Sequence, residues 1–381
     1  MTGLCSRNYE KKRAWAEVDL GAIRNNVAYL EGVIGPKTML MAVVKADAYG
    51  HGAIAVTKAC LDCGVRRFAV ATVEEGVRLR RAGVCTPILV FGVPDPKDFE
   101  SFFRWNLTVT VPDWQSAQRL SHSAQSLGHR LNVHLKLDTG MGRLGVLYTN
   151  GPDFVEKVAN LPGLIVEGVY THLSTADSDT VHATRQISRF VDVIGAISAR
   201  GIEIPCYHMA SSAGAIDYPD SRLNMVRVGL ALYGLYPEPQ LVPALSWKAK
   251  LSEIKEVPPG WGIGYGQTYT TKAKTRIGVL PVGYADGYTR RLKGKAKVLI
   301  GGRPYPVVGN ICMDQLMVDL GSDPVGVDDE VVLIGTQGNN RISAQDLANW
   351  SDTISYEIVC AIGPRIPRLY TSKDTIPMRP A

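Results

Sequence analysis

A lysine closes the first strongly apolar run of the sequence. The stretch VVKADAYGHG places Lys45 directly after aliphatic residues and follows it with Asp47, Tyr49 and His51. A strand that only buries itself would end on turn residues, whereas here an amine is followed by a phenol and an imidazole. An amine in such company can bind a carbonyl compound covalently or move a proton. We therefore expect the end of this strand to lie at a functional site.

Similar side chains follow other apolar runs further along the chain. The run LNVHLKLD leads into the glycine-rich turn TGMGRLG with Arg143, and IVEGVYTHL carries His172 near its end. The later run CYHMASS ends in the hydroxyl residues Ser211 and Ser212, and the run MVRVGLALYG contains Arg227, which is followed by Gly229 and Leu230. This set of amine, guanidinium and imidazole groups would favour an anionic ligand if the fold gathers them.

Alternating strands and helices are the elements that must position these side chains. Strand-like runs cover eight segments: Met39–Lys45, Arg67–Thr72, Pro87–Gly92, Leu107–Val111, Leu131–Asp138, Ile165–Leu173, Cys206–Ser212 and Met225–Gly234. Amphipathic patterns lie between most of them, such as SRFVDVIGAISARG, which Gly201 closes as a C-cap. Apolar strands that alternate with helices indicate a parallel sheet covered on both faces. Eight such units, without a G-x-G-x-x-G after the first strand, predict an α/β fold of the (β/α)₈ TIM barrel type.

In a barrel of this type the active site forms at the carboxyl ends of the strands, where all these side chains are placed. Hydroxyls and backbone N–H groups after the seventh and eighth strands commonly bind a phosphate there. One anionic cofactor, pyridoxal 5′-phosphate, would use the whole set: a lysine for a Schiff base, a phosphate site and a residue opposite the pyridine nitrogen.

Each residue also has a plainer interpretation when it is taken singly. Lys45 could be a lysine whose aliphatic stem packs on apolar surface at the end of a strand, and His172 could be a histidine of the buried core. Arg143 and Arg227 suit surface ion pairs. Their common placement at one end of one barrel is what favours the cofactor.

The amino-acid composition and the length of the apolar segments change near Leu245. Segments such as RIGVLPVGYADGY, KVLIGGRPYPVVGN and DEVVLIG are short, rich in Val and Ile and interrupted by Gly and Pro, which is typical of a mostly β domain. One late helix is expected around Ser343 to Ala361. We therefore predict a barrel over residues 13–244 and a mostly β domain over residues 245–381, to which residues 1–12 also belong.

The composition argues against several classes of protein. The 381 residues carry a net charge of +6, but Lys and Arg are scattered, so no nucleic-acid partner is expected. No apolar run approaches about 18 residues and the N-terminus lacks an apolar signal segment, so we expect a cytoplasmic protein without a membrane span. The seven cysteines include one C-x-x-C, Cys60 and Cys63, without a second pair at zinc-like spacing. We favour buried, reduced thiols over a metal or redox site, and no metal is expected.

The chain resembles the alanine racemase family over nearly its full length. The matching motifs, in family order, are VVKADAYGHG, LKLDTGMGRLG, YTHLSTAD, MVRVGLALYGLYP, IGYGQTYT, GNICMDQLMVDL and TISYEIVCAIGPRIPR. The resemblance implies a barrel followed by a β domain, assembled as a head-to-tail homodimer whose active sites take residues from both chains. It implies an enzyme that interconverts L-alanine and D-alanine with pyridoxal 5′-phosphate. Whether cell-wall precursor synthesis or alanine breakdown is served stays open.

The resemblance also implies roles for single residues. Lys45 matches the cofactor lysine, a base on one face of the substrate, and Tyr265 matches the base on the other face, supplied by the partner subunit. Arg227 matches the arginine at the pyridine nitrogen, which donates without transferring a proton, and His172 matches its neighbour in a hydrogen-bond network. The positions that match the phosphate site are Tyr49, Ser212, Gly229, Leu230 and Tyr356. The positions that match the substrate site are Arg143, near the carboxylate, and the partner chain's Met313 and Asp314, at the entrance.

For three further positions, Lys136, Ser211 and Tyr356, the role that the resemblance implies needs a further argument. Lys136 matches a lysine that is often carbamylated, which would turn a cation near Arg143 into an anion that orients it. The alternative is an ordinary surface pair of Lys136 with Asp138, which lies on the same strand face. Ser211 stands where relatives often have asparagine, so no contact is assigned to it. The bulky phenol of Tyr356 favours a methyl side chain in the substrate, with weak turnover of serine because pockets reject one added hydroxyl poorly.

Other classes of protein share parts of this pattern. A non-catalytic pyridoxal-phosphate barrel of the homeostasis type would explain Lys45 and the phosphate site but not the β domain or Tyr265. A fold-related amino-acid decarboxylase would carry a C-E-S-type motif in its second domain, which GNICMDQLMVDL does not resemble. A purely structural barrel without a cofactor is the least favoured interpretation.

Overall fold

The chain divides into two compact units in the computed structural model, which describes residues 12–372. The first unit contains residues 23–48 and 53–242, and the second contains residues 12–22, 49–52 and 243–372. The first strand of the chain, β1 (Ala14–Asp19), therefore lies in the second unit.

Parallel strands form a nearly closed barrel in the described part of the first unit. The strands are β2 (Met39–Val43), β3 (Arg67–Val70), β4 (Ile88–Val90), β5 (Thr108–Val111), β6 (Leu131–Asp138), a short β7 (Val146–Leu147) beside β6, β8 (Leu164–Tyr170), β9 (Cys206–His208) and β10 (Met225–Val228). The ladder runs from β10 through β2 to β9. Its ends are linked by backbone bonds from Asn224 N to Tyr207 O (3.2 Å) and from Arg227 N to Ala210 O (3.0 Å). Each predicted segment overlaps one of the barrel strands, so the predicted α/β barrel is confirmed.

Helices connect the barrel strands, as the sequence periodicity predicts. They are α1 (Leu20–Ile34), α3 (Ala53–Asp62), α4 (Val73–Arg81), α5 (Phe99–Arg104), α6 (Trp114–Leu127), α7 (Gly151–Ala159), α8 (Thr180–Ala199) and α9 (Ser212–Asp217). The short segment α2 (Lys45–Tyr49) is a left-handed turn and not a right-handed helix. Helix α8 illustrates the pattern, because Ile187 and Phe190 are buried at helical spacing. The Asp179 side chain caps α8 by accepting from His182 N at 3.0 Å. Gly201 follows with φ of 70°, the left-handed glycine that the sequence predicts at the end of this helix.

The second unit is mostly β structure, as predicted. Its further strands are β11 (Leu245–Lys250), β12 (Glu253–Val257), β13 (Gly262–Ile263), β14 (Tyr269–Thr270), β15 (Thr275–Leu280), β16 (Lys297–Ile300), β17 (Arg303–Val308), β18 (Leu316–Gly321), β19 (Glu330–Gln337), β20 (Asn340–Ile342) and β21 (Arg368–Thr371). The main sheet has the order β12-β15-β18-β17-β16-β19-β11-β1-β21, with β20 on β19, and β13 and β14 form a separate pair.

Strand β1 differs from the predicted layout, which placed residues 13–244 in the barrel. It pairs antiparallel with β11, from Ala14 opposite Ala249 to Val18 opposite Leu245, and parallel with β21. Its side chains Trp15 and Val18 are buried. The partners of β1 lie far along the chain, and local composition near residue 13 has no break that would reveal them.

The single late helix predicted around Ser343 to Ala361 is wrong, because two helices occupy that range. They are α10 (Ala344–Ser351) and α11 (Ser355–Ala361). Asp352 ends α10 in the left-handed conformation, with φ of 57°, and a right-handed helix cannot continue through such a residue.

The cysteines of the C-x-x-C lie at the end of α3 rather than both within it. Cys60 is fully buried, whereas Cys63 follows the last helical residue and is partly exposed. Burial raises the pKa of both thiols. In residues 12–372 no group of three or more His, Cys, Asp or Glu side chains is arranged to hold a metal ion.

None of the helices that the structure describes is long and apolar enough to cross a membrane.

Candidate active site

Lys45 follows the carboxyl end of β2 and opens a left-handed turn. Ala46, Asp47, Ala48 and Tyr49 have φ angles of 52°, 51°, 56° and 52°. None of the four is glycine, and each left-handed residue with a Cβ costs roughly 1–2 kcal/mol. Neighbouring groups must therefore hold this turn, which fixes the direction in which the chain leaves Lys45.

Side chains of α4 and the turn itself supply that support. Ala46 N donates to Glu75 Oε1 at 2.6 Å. Asp47 Oδ1 accepts from Ala53 N at 2.9 Å and pairs with Arg78 at 3.1 Å. The sequence indicates a functional strand end here but contains no signal for four successive left-handed residues.

Arg227 on β10 is a buried guanidinium, only 4% exposed. Its NH2 group donates to Thr171 O (2.8 Å), Met209 O (3.0 Å) and His172 Nδ1 (3.1 Å), and NH1 donates to His208 Nδ1 (2.8 Å). Within residues 12–372 no carboxylate lies within 4 Å of it. Burial lowers the pKa of Arg227 to about 10, so the group remains a cation at neutral pH.

His172 lies two residues after the end of β8, is partly exposed, and contacts Arg227 at 3.1 Å. Because a guanidinium can only donate, Nδ1 of His172 accepts, and a neutral ring carries its proton on Nε2. Burial, followed by the nearby charges of Arg227, Arg143 and Lys136, holds the pKa of His172 well below its ordinary value. The imidazole is therefore neutral.

Lys136 and Asp138 share the inward face of β6 and are both buried, at 4% and 7% exposure. The alternative of a surface pair is therefore wrong. Lys136 Nζ donates to Leu137 O at 2.6 Å and lies 5.6 Å from the centroid of the Tyr170 ring. Burial and the charge of Arg227 lower the pKa of Lys136 to about 7. A large fraction of this amine is neutral at physiological pH.

Asp138 shapes the loop that carries Arg143. Its carboxylate accepts backbone N–H groups from Gly140 (2.8 Å), Met141 (2.8 Å) and Gly142 (2.9 Å). Gly142 has φ of 69°, which suits glycine. Arg143 is exposed, and its charge contributes to the lowered pKa of both Lys136 and His172.

The predicted phosphate site lies at the ends of the last barrel strands. Ser212 begins α9, is buried, and its Oγ accepts from Ala231 N at 3.0 Å. Gly229 and Leu230 lead into a 3₁₀ helix, Leu230–Tyr233, whose first N–H groups have no partner within the helix. Ser211 occupies the N-cap position of α9 but makes no side-chain cap bond.

The other phosphate-site candidates lie in the second unit. Burial, then the neighbouring Cys360 and Tyr356, raises the pKa of Tyr49, so these three side chains lie close together. Tyr356 is the second residue of α11 and is partly buried. The structure therefore groups Tyr49 with Tyr356, as the family motifs imply.

Tyr265 lies on an exposed turn of the second unit. Gly264 and Gly266 flank it with φ of 70° and 68°, and Asn310 Nδ2 donates to its carbonyl at 2.6 Å. The side chain is 74% exposed in the single chain. Asn310 and the two glycines thus fix a turn that projects a phenol away from its own unit.

Met313 and Asp314 lie in the loop before β18 and are exposed as well. Met313 is 54% exposed. Asp314 pairs with Arg365 at 2.8 Å, and Arg365 lies 3.4 Å from the buried carboxylate of Asp286. An arginine thus anchors the acidic side chain of this loop.

Two polar residues of the barrel interior escaped the sequence reasoning. His134 on β6 and His208 on β9 are both fully buried, and their rings bond at 2.8 Å between His134 Nδ1 and His208 Nε2. A signal was present, because polar residues at 132, 134, 136 and 138 alternate with Leu and Val along the strand. Polar side chains at period two on one face of a buried strand indicate an inward network.

Comparisons with known proteins match both units. The family models "Alanine racemase, N-terminal domain" and "Alanine racemase, C-terminal domain" match residues 18–237 and 244–370. The alanine racemase of Halothermothrix orenii is 45% identical over 367 residues, covering 94% of this chain and 97% of that protein. That of Symbiobacterium thermophilum is 46% identical over 364 residues, covering 93% and 96%.

Solved structures agree with the sequence comparisons. An alanine racemase of Clostridium difficile is similar with a TM-score of 0.90 at 37% identity, covering 96% of this chain and 97% of that one. The alanine racemase of Bacillus anthracis with bound L-Ala-P is similar with a TM-score of 0.89 at 37% identity, covering 95% and 96%.

Proposed function

The chain belongs to the alanine racemase family, and on that premise we propose that it interconverts L-alanine and D-alanine with pyridoxal 5′-phosphate as its cofactor. The observation that carries the proposal is the concentration of basic side chains at the carboxyl ends of the barrel strands. Arg227 is buried there without a carboxylate partner in residues 12–372, and Lys45, Lys136 and Arg143 all contribute to the local positive potential. A phosphate and a substrate carboxylate would supply the missing negative charge.

The donors of Arg227 fit a neutral pyridine nitrogen. Its bonds to His208, Thr171, His172 and Met209 account for both hydrogens of NH2 and one of NH1. Among the described residues no acceptor bonds to Nε or to the other NH1 hydrogen. A guanidinium donates without giving up its proton, so Arg227 would bind this nitrogen and leave it unprotonated.

The phosphate would be held by hydroxyl and backbone donors. Ser212 and the N–H groups at Gly229 and Leu230 support this, because they stand after the last two barrel strands. Tyr49 and Tyr356 would add phenol hydroxyls. Burial raises the pKa of Tyr49, so that phenol stays protonated and able to donate.

The catalytic groups would be Lys45 and Tyr265. When bound, pyridoxal phosphate delocalises the negative charge that appears on the α-carbon as its proton leaves. Lys45 would hold the cofactor covalently and exchange the α-proton on one face, while Tyr265 would exchange it on the opposite face. Two groups on opposite faces allow inversion without any rotation of the substrate.

Tyr265 would act on the barrel of a second copy, in a head-to-tail homodimer. Support comes from the apolar surface of the second unit, where the side chains of Trp261, Tyr265, Met313 and Ile354 are all more than half exposed. Exposed aromatic and Met side chains are typical of protein interfaces. In this assembly Met313 and Asp314 would line the entrance to the partner's site, and Arg365 would hold Asp314 in place.

The substrate carboxylate would be bound by Arg143. Lys136 supports this role if it reacts with CO₂, because the neutral amine would then lose a proton and become a carbamate anion. A pKa of about 7 makes that neutral amine abundant. The anion would orient Arg143 instead of repelling it.

The size of Tyr356 favours alanine over larger amino acids, with weak serine turnover. The cytoplasmic location stays a prediction of the sequence. A homeostasis-type binding barrel is disfavoured because such proteins lack the second unit that carries Tyr265.

Borohydride reduction and solvent deuterium exchange test the proposal together. We expect a visible absorbance that borohydride abolishes. After the reduction, a peptide digest should show the pyridoxal group attached covalently to Lys45. In D₂O both alanine enantiomers should exchange the α-proton and racemise without release of CO₂, and Lys45→Ala should lose at least about 10²-fold in rate. Binding without exchange would favour a non-catalytic protein, and CO₂ release would favour a decarboxylase.

A further inference from the structure

A chain of polar side chains runs from Arg227 into the interior of the barrel. Its members lie on five strands: Arg227 on β10, His208 on β9, His134 on β6, Glu167 on β8 and Arg67 on β3. Successive distances are 2.8 Å from Arg227 NH1 to His208 Nδ1 and 2.8 Å from His208 Nε2 to His134 Nδ1. Then come 3.6 Å from His134 Nε2 to Glu167 Oε2 and 2.7 Å from Glu167 Oε1 to Arg67 NH1.

A bulge in β8 and a glycine at position 168 allow His134 on β6 to lie beside Glu167. The two strands pair Val133 with Val166 and His134 with Gly168, so Glu167 is an extra residue in β8. Such a bulge re-aims a side chain. A Cβ at Gly168 would lie 2.6 Å from His134 Nδ1, so glycine leaves room for the ring. The backbone is thus adapted to this contact.

The chemistry of arginine fixes the direction of every link. Arg227 can only donate, so Nδ1 of His208 accepts and its Nε2 carries the proton. Nε2 then donates to His134 Nδ1, which places the His134 proton on Nε2, facing Glu167. From the other end, Arg67 also can only donate. Both oxygens of Glu167 are therefore needed as acceptors.

The charge states of these side chains agree with this order of donors and acceptors. Burial, with Arg227 as the next cause, holds the pKa of His208 well below its ordinary value, and burial lowers that of His134. The polar contact with His134 and the hydrogen bond from Arg67 lower the pKa of Glu167 to about 2. The nearby Tyr170 and Cys206 stay neutral, since burial raises the pKa of the phenol and of the thiol. Glu167 is thus an anion that Arg227 reaches through two hydrogen bonds and one polar contact of 3.6 Å.

We propose that Glu167 is a positioning residue that acts as the remote counter-charge of Arg227 and, through His134 and His208, fixes the donors that Arg227 presents to the cofactor. This role rests on the proposed function. The two neutral imidazoles act as a relay of hydrogen-bond direction, and no proton needs to move along them. His134 Nε2 and Glu167 Oε2 face each other at 3.6 Å, just beyond hydrogen-bond distance, and neither atom makes a hydrogen bond to any described group, so each is available to the other.

In Glu167→Gln, residue 167 can no longer accept a hydrogen bond from Arg67 and from His134 at the same time. Glutamine has one carbonyl oxygen. If that oxygen accepts from Arg67, its NH₂ group faces His134, which must then accept on Nε2 and carry its proton on Nδ1. His208 must in turn place a proton on Nδ1, directly against NH1 of Arg227. The variant therefore loses either the Arg67 bond or the orientation of Arg227.

Removal of Arg67 should relieve this conflict. In the double variant Glu167→Gln with Arg67→Met, the glutamine oxygen can face His134 and the wild-type direction returns. Arg67→Met alone keeps a carboxylate for His134 and serves as the matched control. Rescue by loss of a second side chain is not expected from a merely structural role.

Nitrogen-15 NMR of the imidazoles, with and without pyridoxal phosphate, tests the proposal. We expect both buried rings to be neutral with Nε2 protonated in the wild type, and His208 to gain a proton on Nδ1 in Glu167→Gln. The kcat/KM for alanine should fall about tenfold or more in that variant, as expected for a lost charge-assisted hydrogen bond, and recover in the double variant. The absorption spectrum of the bound cofactor should shift and recover in parallel.

The outcomes separate this proposal from the proposed function. A wild-type His208 protonated on Nδ1 overturns the counter-charge role even if no variant folds. Normal kinetics in Glu167→Gln, or equal loss in the single and double variants, also overturn it. A wild-type protein that shows the expected tautomers but neither binds the cofactor nor racemises alanine would overturn the proposed function instead.

Discussion

The side-chain amide of Gln186 donates to the backbone carbonyl of His172 at 3.1 Å. The same amide donates to Thr139 Oγ1 at 3.2 Å, and its oxygen accepts from Ser174 N at 2.8 Å and from Ser174 Oγ at 3.0 Å. Gln186 is fully buried on α8. One side chain of a helix therefore ties the strand end that carries His172 to the loop that leads to Arg143.

Gln186→Leu should destabilise the protein and loosen both segments. The change leaves the His172 carbonyl and the Ser174 N–H without partners, and each buried unpaired group costs about 1–3 kcal/mol. We expect the free energy of unfolding in urea to fall by about 2–4 kcal/mol, and the KM for alanine to rise as Arg143 loses its position. Gln118→Leu on the exposed face of α6 is the control. Equal stability of the two variants would contradict the argument.

Glu75 should be needed for the left-handed turn after Lys45. Its two oxygens accept from Ala46 N and Ala71 N at 2.6 and 2.7 Å, so Glu75→Ala removes one bond that holds the strained turn and one that holds the backbone just before α4. We expect a loss of about 1–3 kcal/mol in unfolding free energy and weaker retention of pyridoxal phosphate on dialysis.

Glu74→Ala is the matched control, because Glu74 is the exposed neighbour of Glu75 on the same helix and makes no bond to the turn. If Glu74→Ala releases the cofactor as readily as Glu75→Ala, the turn does not depend on this carboxylate.

The sequence predicts the barrel and much of the cluster because their signals are local. Strand periodicity locates the carboxyl ends, and reactive side chains at those ends, such as Lys45 and Arg227, can be recognised one at a time. The left-handed turn at Ala46 could not be predicted, since Glu75 supports it from the next helix. The alternation of polar residues along β6 could have revealed His134, but its contact with Glu167 depends on a bulge between β6 and β8 and on Gly168, which strand pairing alone reveals.

Stability should decrease as the pH falls through the ordinary histidine range. The folded pKa values of His134, His172 and His208 all lie below their ordinary value. Below about pH 6.5 the unfolded chain therefore binds more protons than the folded one, and each ring contributes a loss of up to about 1.4 kcal/mol per pH unit.

Urea unfolding at pH 7.5 and 5.5 measures this effect, in a window above the range where Glu167 titrates. His208→Gln should reduce the pH slope, whereas His122→Gln, at an exposed site on α6, should leave it unchanged. A wild-type stability that rises on acidification would show that these rings are charged in the folded state.

Lys136 should take up CO₂ reversibly, with a pH dependence set by its pKa of about 7. The neutral amine is the form that reacts, so carbamate should form above pH 7 and disappear as the pH falls below it. Carbon-13 NMR with labelled bicarbonate should show one carbamate signal that Lys136→Met removes and that Lys58→Met, at an exposed lysine of α3, retains. A signal that survives in Lys136→Met would place the modification elsewhere.

Hybrid dimers should regain activity that both parent variants lack. If Lys45 and Tyr265 of one site come from different chains, a dimer of a Lys45→Ala chain with a Tyr265→Phe chain contains one intact site and one site with both changes. Purified by two affinity tags, this hybrid should show about half of the wild-type kcat per dimer, although each parent homodimer is nearly inactive.

A second hybrid decides whether the sites are shared. In a dimer of a wild-type chain with a chain that carries both substitutions, shared sites each contain one damaged residue, so the hybrid should be inactive. Sites built within single chains give the opposite pattern, with half activity in this hybrid and none in the first. The exposed phenol of Tyr265, 74% accessible in the single chain, leads us to expect the shared pattern.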